Sequence, residues 1–244
     1  MSKRIEGRAR ALTSKPRRKD PSIAPGAGWS ATPFAQTISD RQREVFAQAA
    51  RLFVEKGYEG TSMSDIAAAV KLTKAGLYHF VNRKEDLLFT IMSWGMQELY
   101  EEVVYPAQSV EAPLERLKLI LRNHLSNIGR GIGAQGNPVT IVADQPGGLN
   151  PERRAVIDEL KRGYFDLVRR TLEEMRQRGE LADGLDPTVT AHCIIGMIMW
   201  TARWPRPEGR LSVDDLIEQI TSVAVGGAVS TDEPASQQAA MPPR

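Results

Sequence analysis

The chain has 244 residues, 41% of them hydrophobic, and a formal net charge of +2. That is enough apolar material to bury a core, either in one large domain or in a small domain joined to a larger one. Cys193 is the only cysteine, which excludes an internal disulfide framework, and no run of 18 apolar residues offers a membrane span, so a reducing, cytoplasmic setting is expected.

The charge is unevenly spread. Residues 1–20 hold eight basic and two acidic side chains, a local +6, so the other 224 residues sum to −4. Residues 1–37, with Pro16, Pro21, Pro25 and Pro33, read as a disordered basic arm. A basic arm on a mildly acidic body is one footprint of a nucleic-acid binder, and it also fits a plain solvated tail. Residues 231–244 read as a second disordered tail.

Between the tails the periodicity is helical throughout, and no stretch alternates as a strand would. Asp40 is placed to cap a helix over 41–56, with Phe46, Ala49, Ala50 and Phe53 on one face and Gly57 as its stop. Ser62 and Asp65 have capping-box spacing for a short helix ending near Val70. Thr73 caps the next short helix, and residues 84–104 form a longer one with Leu87, Leu88, Ile91, Met92 and Leu99 inward. Leu114, Leu117, Leu121, Leu125 and Ile128 form an apolar stripe after Pro113. Asn150-Pro151 and Asp186-Pro187 are helix starts, since proline suits the first turn. The first of these helices is expected to stop at Gly179 and the second at Pro205, after Trp204. Ser212 and Asp215 open a last helix, expected to end at Gly226-Gly227. The count is eight or nine helices.

Residues 61–88 carry the most specific pattern: two short helices, a tight turn and the start of a third. A helix-turn-helix lays its second helix in the major groove and rests the first against the backbone. Ile66, Ala67 and Ala69 are small or compact enough for close packing, Lys71-Leu72 makes the turn, and Leu77 and Phe80 face inward. Thr73, Lys74, Ala75, Gly76, Tyr78 and His79 are left on the outer face. Tyr78 and His79 have donors suited to phosphate, Thr61 and Lys84 flank the pair as backbone clamps, and Thr73, Lys74 and Ala75 are the base-reading candidates. Ser62 and Lys71 complete the expected DNA-binding set.

Residues 41–88 resemble the DNA-binding domain of TetR-family transcriptional regulators. The likeness rests on Ala50-Arg51-Leu52-Phe53, Gly57-Tyr58, Thr61-Ser62-Met63, Asp65-Ile66-Ala67, Leu77-Tyr78-His79-Phe80 and Lys84-Glu85-Asp86-Leu87-Leu88. The family's turn normally has glycine where this chain has Lys71, at a cost of ~1 kcal/mol if that position is left-handed. Val81 and Arg83 also depart from the pattern, and Asn82 is the expected replacement cap.

The resemblance implies an all-α protein. A three-helix helix-turn-helix domain (38–98) would be followed by a helical ligand-binding and dimerisation domain (99–230). The helix at 187–204 is apolar nearly all round and, with the helix at 212–225, could pair with its copy in a homodimer. Trp200 to Leu211 is weakly similar to a TetR subgroup that regulates fatty-acid and steroid degradation. The effectors implied by that likeness are acyl-coenzyme A thioesters. Arg203 matches the subgroup's string and could pair with a carboxylate or phosphate; alternatively, Arg203 and Arg206 only cap a helix end. Trp94, His124, Tyr164, Trp200 and Arg203 are the candidate ligand-binding residues, with Asn123 and His192 as further possible linings.

The expected partners are double-stranded operator DNA, a small effector and a second copy, with no cofactor, metal or membrane. The three histidines form no close-spaced metal pair, and no phosphate loop, nucleophile elbow or paired-carboxylate motif is present, so an enzyme is not expected. The reading is a ligand-responsive repressor; the alternative is an all-α interaction module that never meets DNA.

Overall fold

A computed structural model describes residues 39–130, 147–203 and 210–230. The arm at 1–37, the tail at 231–244 and the segment from Trp204 through Arg206 lie outside the described residues. Every regular element among those described is helical, apart from one antiparallel bridge between Leu181 and Val229.

Helix α1 spans Asp40–Lys56. Its cap is Ser39 rather than Asp40: the Ser39 hydroxyl accepts from the Gln42 backbone and the Gln42 side chain accepts from Ser39 N at 2.9 Å. This is a full capping box one residue ahead of the expected cap. Val45, Phe46, Ala49, Ala50 and Phe53 are buried, and Gly57 closes the helix at φ +77°. Helix α2 (Met63–Ala69) opens on the Ser62–Asp65 box. Helix α3 (Lys74–Tyr78) is five residues long and capped by Thr73.

Helix α4 (Lys84–Leu99) continues without a break into a π turn, Tyr100–Val104, and then into α5, Tyr105–Gln108. Arg83, not Asn82, is the N-cap residue of α4, and no side chain caps that end. The division expected at residue 98 therefore falls inside one continuous helical rod. Helix α6 (Pro113–Gly129) buries Leu117, Leu121, Leu125 and Ile128 as its stripe predicts. Helix α7 (Pro151–Gln177) starts at Asn150, whose side chain accepts from Arg153 N, and Gly179 follows it at φ +71°.

Helix α8 (Pro187–Thr201) ends before the expected Trp204. Helix α9 (Val213–Ala228) runs through Gly226 and Gly227 instead of stopping there. Its true stop is the bridge, where Ala182 N donates to Ala228 O at 2.8 Å and Ser230 N to Glu180 O at 3.1 Å. Glycine lowers helix propensity by only ~1 kcal/mol, which a docked helix readily overrides.

Helix α1 packs on α4, α2 on α1 and α3 on α2, while α6 packs on α7 and α9, and α7 packs on α8. The halves are joined where α7 and the turn before it meet α4, including a bond from Asn150 N to Glu85 at 2.9 Å. Arg153 on α7 donates to Asp86 at 2.6 Å, approaches Glu85 at 3.5 Å and lies over the Phe89 ring at 5.2 Å. Gly148 sits against the Tyr58 ring; a Cβ there would lie 2.6 Å from a ring carbon, so no larger residue fits.

Candidate nucleic-acid interface

The recognition helix is anchored by its inner side and open on its outer side. Leu77 is completely buried, with Leu72 and Phe80 packed beside it. Burying a leucine side chain is worth roughly 1.5–3 kcal/mol, which holds a helix this short in place. The Thr73 hydroxyl accepts from Gly76 N at 3.0 Å, and a Cβ at position 76 would come within 3.2 Å of that oxygen. Gly76 thus serves the cap. Thr73, Lys74, Ala75, Tyr78 and His79 are all exposed. This is an outward row of donors and compact groups.

Lys71 takes the turn at φ +55°, the only non-glycine residue with positive φ among those described. The left-handed position anticipated from the family's usual glycine is therefore real. The Lys71 side chain is exposed. Arg41, from α1, donates to Val70 O at 2.7 Å and so satisfies the end of α2. Nothing in the sequence motif pointed to Arg41, because its partner is a backbone carbonyl 29 residues away.

Three expected DNA contacts are used inside the protein. Thr61 is 1% exposed, and its hydroxyl lies 3.1 Å from Leu52 O and 2.9 Å from Gly57 O. It ties the end of α1 to the following turn and does not present its side chain to a ligand. The Lys84 ammonium donates to Tyr58 O at 2.9 Å and Thr61 O at 3.1 Å, sits 4.2 Å from the Tyr58 ring centre and faces Glu59 at 3.8 Å. These bonds make Lys84 a strut between the start of α4 and the turn after α1. Ser62 is exposed, but its hydroxyl donates to Asp65 at 2.6 Å and accepts from Asp65 N, so it works as a cap. Beside Lys84, Asn82 and Arg83 are exposed, and Arg83 makes no cap bond. Arg83 is the cation that the motif-based expectation passed over.

The candidate effector residues divide in the same way. His124 (α6) and Tyr164 (α7) are buried, with Nδ1 and the phenol oxygen 2.7 Å apart and the rings edge to face at 5.2 Å. Burial lowers the His124 pKa to about 3 and raises that of Tyr164, so both groups are neutral. Trp94 is half-buried and packs on the core. Trp200 lies on the outside of this chain: it is 61% exposed, and the Arg203 guanidinium, also exposed, lies 5.4 Å from its ring centre. Helix α8 is apolar on every face, so its sequence could not show that Ala191, Ile194 and Ile198 would be the inward ones. Asn123 donates to Glu102 O at 2.7 Å, and the His192 ring lies tilted against Phe165 with centroids 4.5 Å apart.

The outward face of α8 and α9 is unusually apolar for a surface. Val189 is 61% and Val223 65% exposed, in addition to Trp200. No described helix is long and apolar enough to cross a membrane, and no metal-holding cluster occurs among the described residues.

Comparison with known proteins points to one family. Residues 45–91 match the family described as "Bacterial regulatory proteins, tetR family", and residues 110–228 match "Tetracyclin repressor-like, C-terminal domain". The chain is 28% identical over 196 residues to the HTH-type transcriptional repressor KstR2 of Rhodococcus jostii, covering 79% of this chain and 93% of that one. It is 23% identical over 185 residues to the fatty acid metabolism regulator protein of Bacillus subtilis, covering 75% and 93%. Among solved structures, AibR in complex with isovaleryl coenzyme A and operator DNA is 38% identical, with a TM-score of 0.67, covering 75% of this chain and 97% of that one.

Proposed function

Because the chain belongs to the TetR family of helix-turn-helix transcriptional regulators, we propose that it is a repressor released from its operator by an acyl-coenzyme A thioester. The observation that carries the DNA half is the open face of α3, where Thr73, Lys74, Ala75, Tyr78 and His79 are exposed above a buried Leu77. Thr73, Lys74 and Ala75 are the base readers of this proposal, and Tyr78, His79, Lys71 and Arg83 its phosphate contacts. The effector class is suggested by the likeness to AibR, whose structure holds isovaleryl coenzyme A and operator DNA.

Regulators of this family act as dimers. In the proposed dimer the outward faces of α8 and α9 meet their copies, covering Val189, Trp200 and Val223 and setting two recognition helices one DNA turn, about 34 Å, apart. Residues 38–98 form the DNA-binding domain and 99–230 the effector and dimerisation domain, with the α4 rod shared between them. The effector shifts the operator-competent population through its different affinity for the two conformers. Arg153, joining the start of α7 to Glu85 and Asp86 on α4, is the route by which the effector domain is felt at the recognition helix. The protein works in the cytoplasm, on DNA, without catalysis.

A gel shift against the DNA flanking its own gene tests this reading. A retarded band that isovaleryl coenzyme A abolishes is the expected result. No retardation would favour an interaction module; retardation that acyl thioesters leave untouched would remove the effector class.

A further inference from the structure

His124 is buried between α6 and α7 with one ring nitrogen satisfied and the other not. Nδ1 meets the Tyr164 phenol at 2.7 Å, while Nε2 has no hydrogen-bond partner among the described residues. A neutral imidazole has one N–H, so two arrangements exist. If Nδ1 donates to Tyr164, the phenol proton and the Nε2 lone pair are both left over. If Tyr164 donates to Nδ1, a single group is left over, the Nε2–H donor. The second arrangement leaves fewer buried groups unpaired and matches a stronger donor with a stronger acceptor. Tyr164 therefore fixes the tautomer, and the pair leaves one buried N–H unpaired between α6 and α7. Leu121, Leu125, Leu160 and Leu167, all buried, are their near neighbours along α6 and α7.

An unpaired buried donor opposes folding, so folding alone does not account for it. A group of this kind is suited to a ligand that brings the missing acceptor. Because the ring is neutral, the acceptor it fits best is a neutral oxygen flanked by apolar atoms, not a phosphate or a free carboxylate. We infer that His124 Nε2–H, oriented by Tyr164, donates to the carbonyl oxygen of the effector's acyl group, with the surrounding leucines against its hydrocarbon. His124 is then the residue that distinguishes an acyl thioester from a bare coenzyme A, and Tyr164 is a positioning residue.

This inference rests on the acyl-thioester reading, and the experiment separates the two. Binding of isovaleryl coenzyme A is compared with that of its thioether analogue, in which a methylene replaces the carbonyl, using the full chain. The wild type is expected to prefer the thioester by ~10-fold or more, about the worth of one buried hydrogen bond with a partner left unmet. A double variant, His124→Leu with Tyr164→Phe, is expected to bind both compounds alike. If the double variant keeps the preference, or the wild type binds both equally, the inference is overturned while the effector class stands.

If the wild type binds neither, the effector class falls, and the ligand-free protein decides the role of the pair. A group kept for binding predicts a double variant that melts no lower than wild type. A lower melting temperature, or failure to fold, would make the pair structural and overturn the inference. The imidazole nitrogen spectrum of the wild type gives a reading that needs no variant. A protonated Nε2 that shifts with the thioester but not with the thioether is expected, and a protonated Nδ1 would overturn the inference.

Discussion

Tyr78 and His79 stand exposed and adjacent on α3, whereas Tyr164 and His124 are buried and bonded to each other between α7 and α6. The side chains are the same, but their surroundings set opposite uses. On α3 each polar atom keeps its water until a partner arrives, so readiness costs the fold nothing. Between α6 and α7 water is gone, one bond is made in advance and one donor is left over. The first pair suits a partner that binds by many weak contacts, the second a partner identified by one atom.

The sharpest way to break this comparison is acid. The His124 pKa falls from its ordinary 6.5 to about 3 on folding. Between those values the unfolded chain binds a proton that the folded chain does not, so stability is full above pH 6.5 and is lost as the pH falls toward 3. The loss from this one group is about 1.4 kcal/mol per pH unit inside that window. Urea unfolding of the His124→Leu, Tyr164→Phe variant at pH 7 and pH 5 is expected to show a flatter acid limb than wild type. Equal slopes would mean that His124 is solvated in the folded protein.

Lys84 is the next test, because it extends the contrast between engaged and available donors into the DNA-binding domain. Lys84→Ala leaves the Tyr58 and Thr61 carbonyls without their donor and is expected to cost about 2 kcal/mol of stability, read by chemical unfolding. Operator affinity would then fall only as far as folding does, with its salt dependence unchanged. A reduced salt slope at unchanged stability would return Lys84 to the phosphate-contacting set.

Lys74→Ala and Arg83→Ala are expected to behave the other way. Each should leave the melting temperature alone and weaken operator binding roughly fivefold to tenfold; Arg83→Ala, at a phosphate contact, should also lower the salt slope by about 0.9, while Lys74→Ala, at a base reader, should narrow the preference for operator over unrelated DNA. The smallest expected effect belongs to Lys71→Gly. It should stabilise the fold by ~1 kcal/mol, since glycine accepts φ +55° without a Cβ clash. It should weaken DNA binding if the Lys71 ammonium reaches phosphate. A gain in stability at undiminished affinity would mark Lys71 as a bystander.

Much of this protein is legible in its letters, and the illegible parts share a cause. The Ser62–Asp65 and Ser212–Asp215 boxes and the Thr73, Asn150 and Asp186 caps are local, and the sequence places them correctly. Lys71 is legible because a departure from an expected glycine has only a few physical meanings. Thr61 and Lys84 are illegible because their acceptors are backbone carbonyls, which carry no letter. Trp200 is illegible because a helix apolar on all sides does not say which side is inside. The His124–Tyr164 bond joins residues 40 apart on different helices, a pairing that periodicity cannot show. The wider turn at Tyr100–Val104 adds no composition signal at all.

That wider turn has a consequence for how the chain tolerates change in length. A residue added to or removed from an ordinary helix rotates everything beyond it by about 100°. In α4 such a shift would swing the recognition domain around the rod's axis. The π turn already holds one residue more than an α turn would, and Tyr100 is pinned there by its bond to Leu160 O at 3.0 Å over Gly163. Removing one residue from 101–104 would let the turn tighten to ordinary pitch and keep both ends in phase. The same deletion between Leu88 and Met96 has no such slack to draw on. The rod thus contains a single place where its length can change without turning the protein's DNA-reading end.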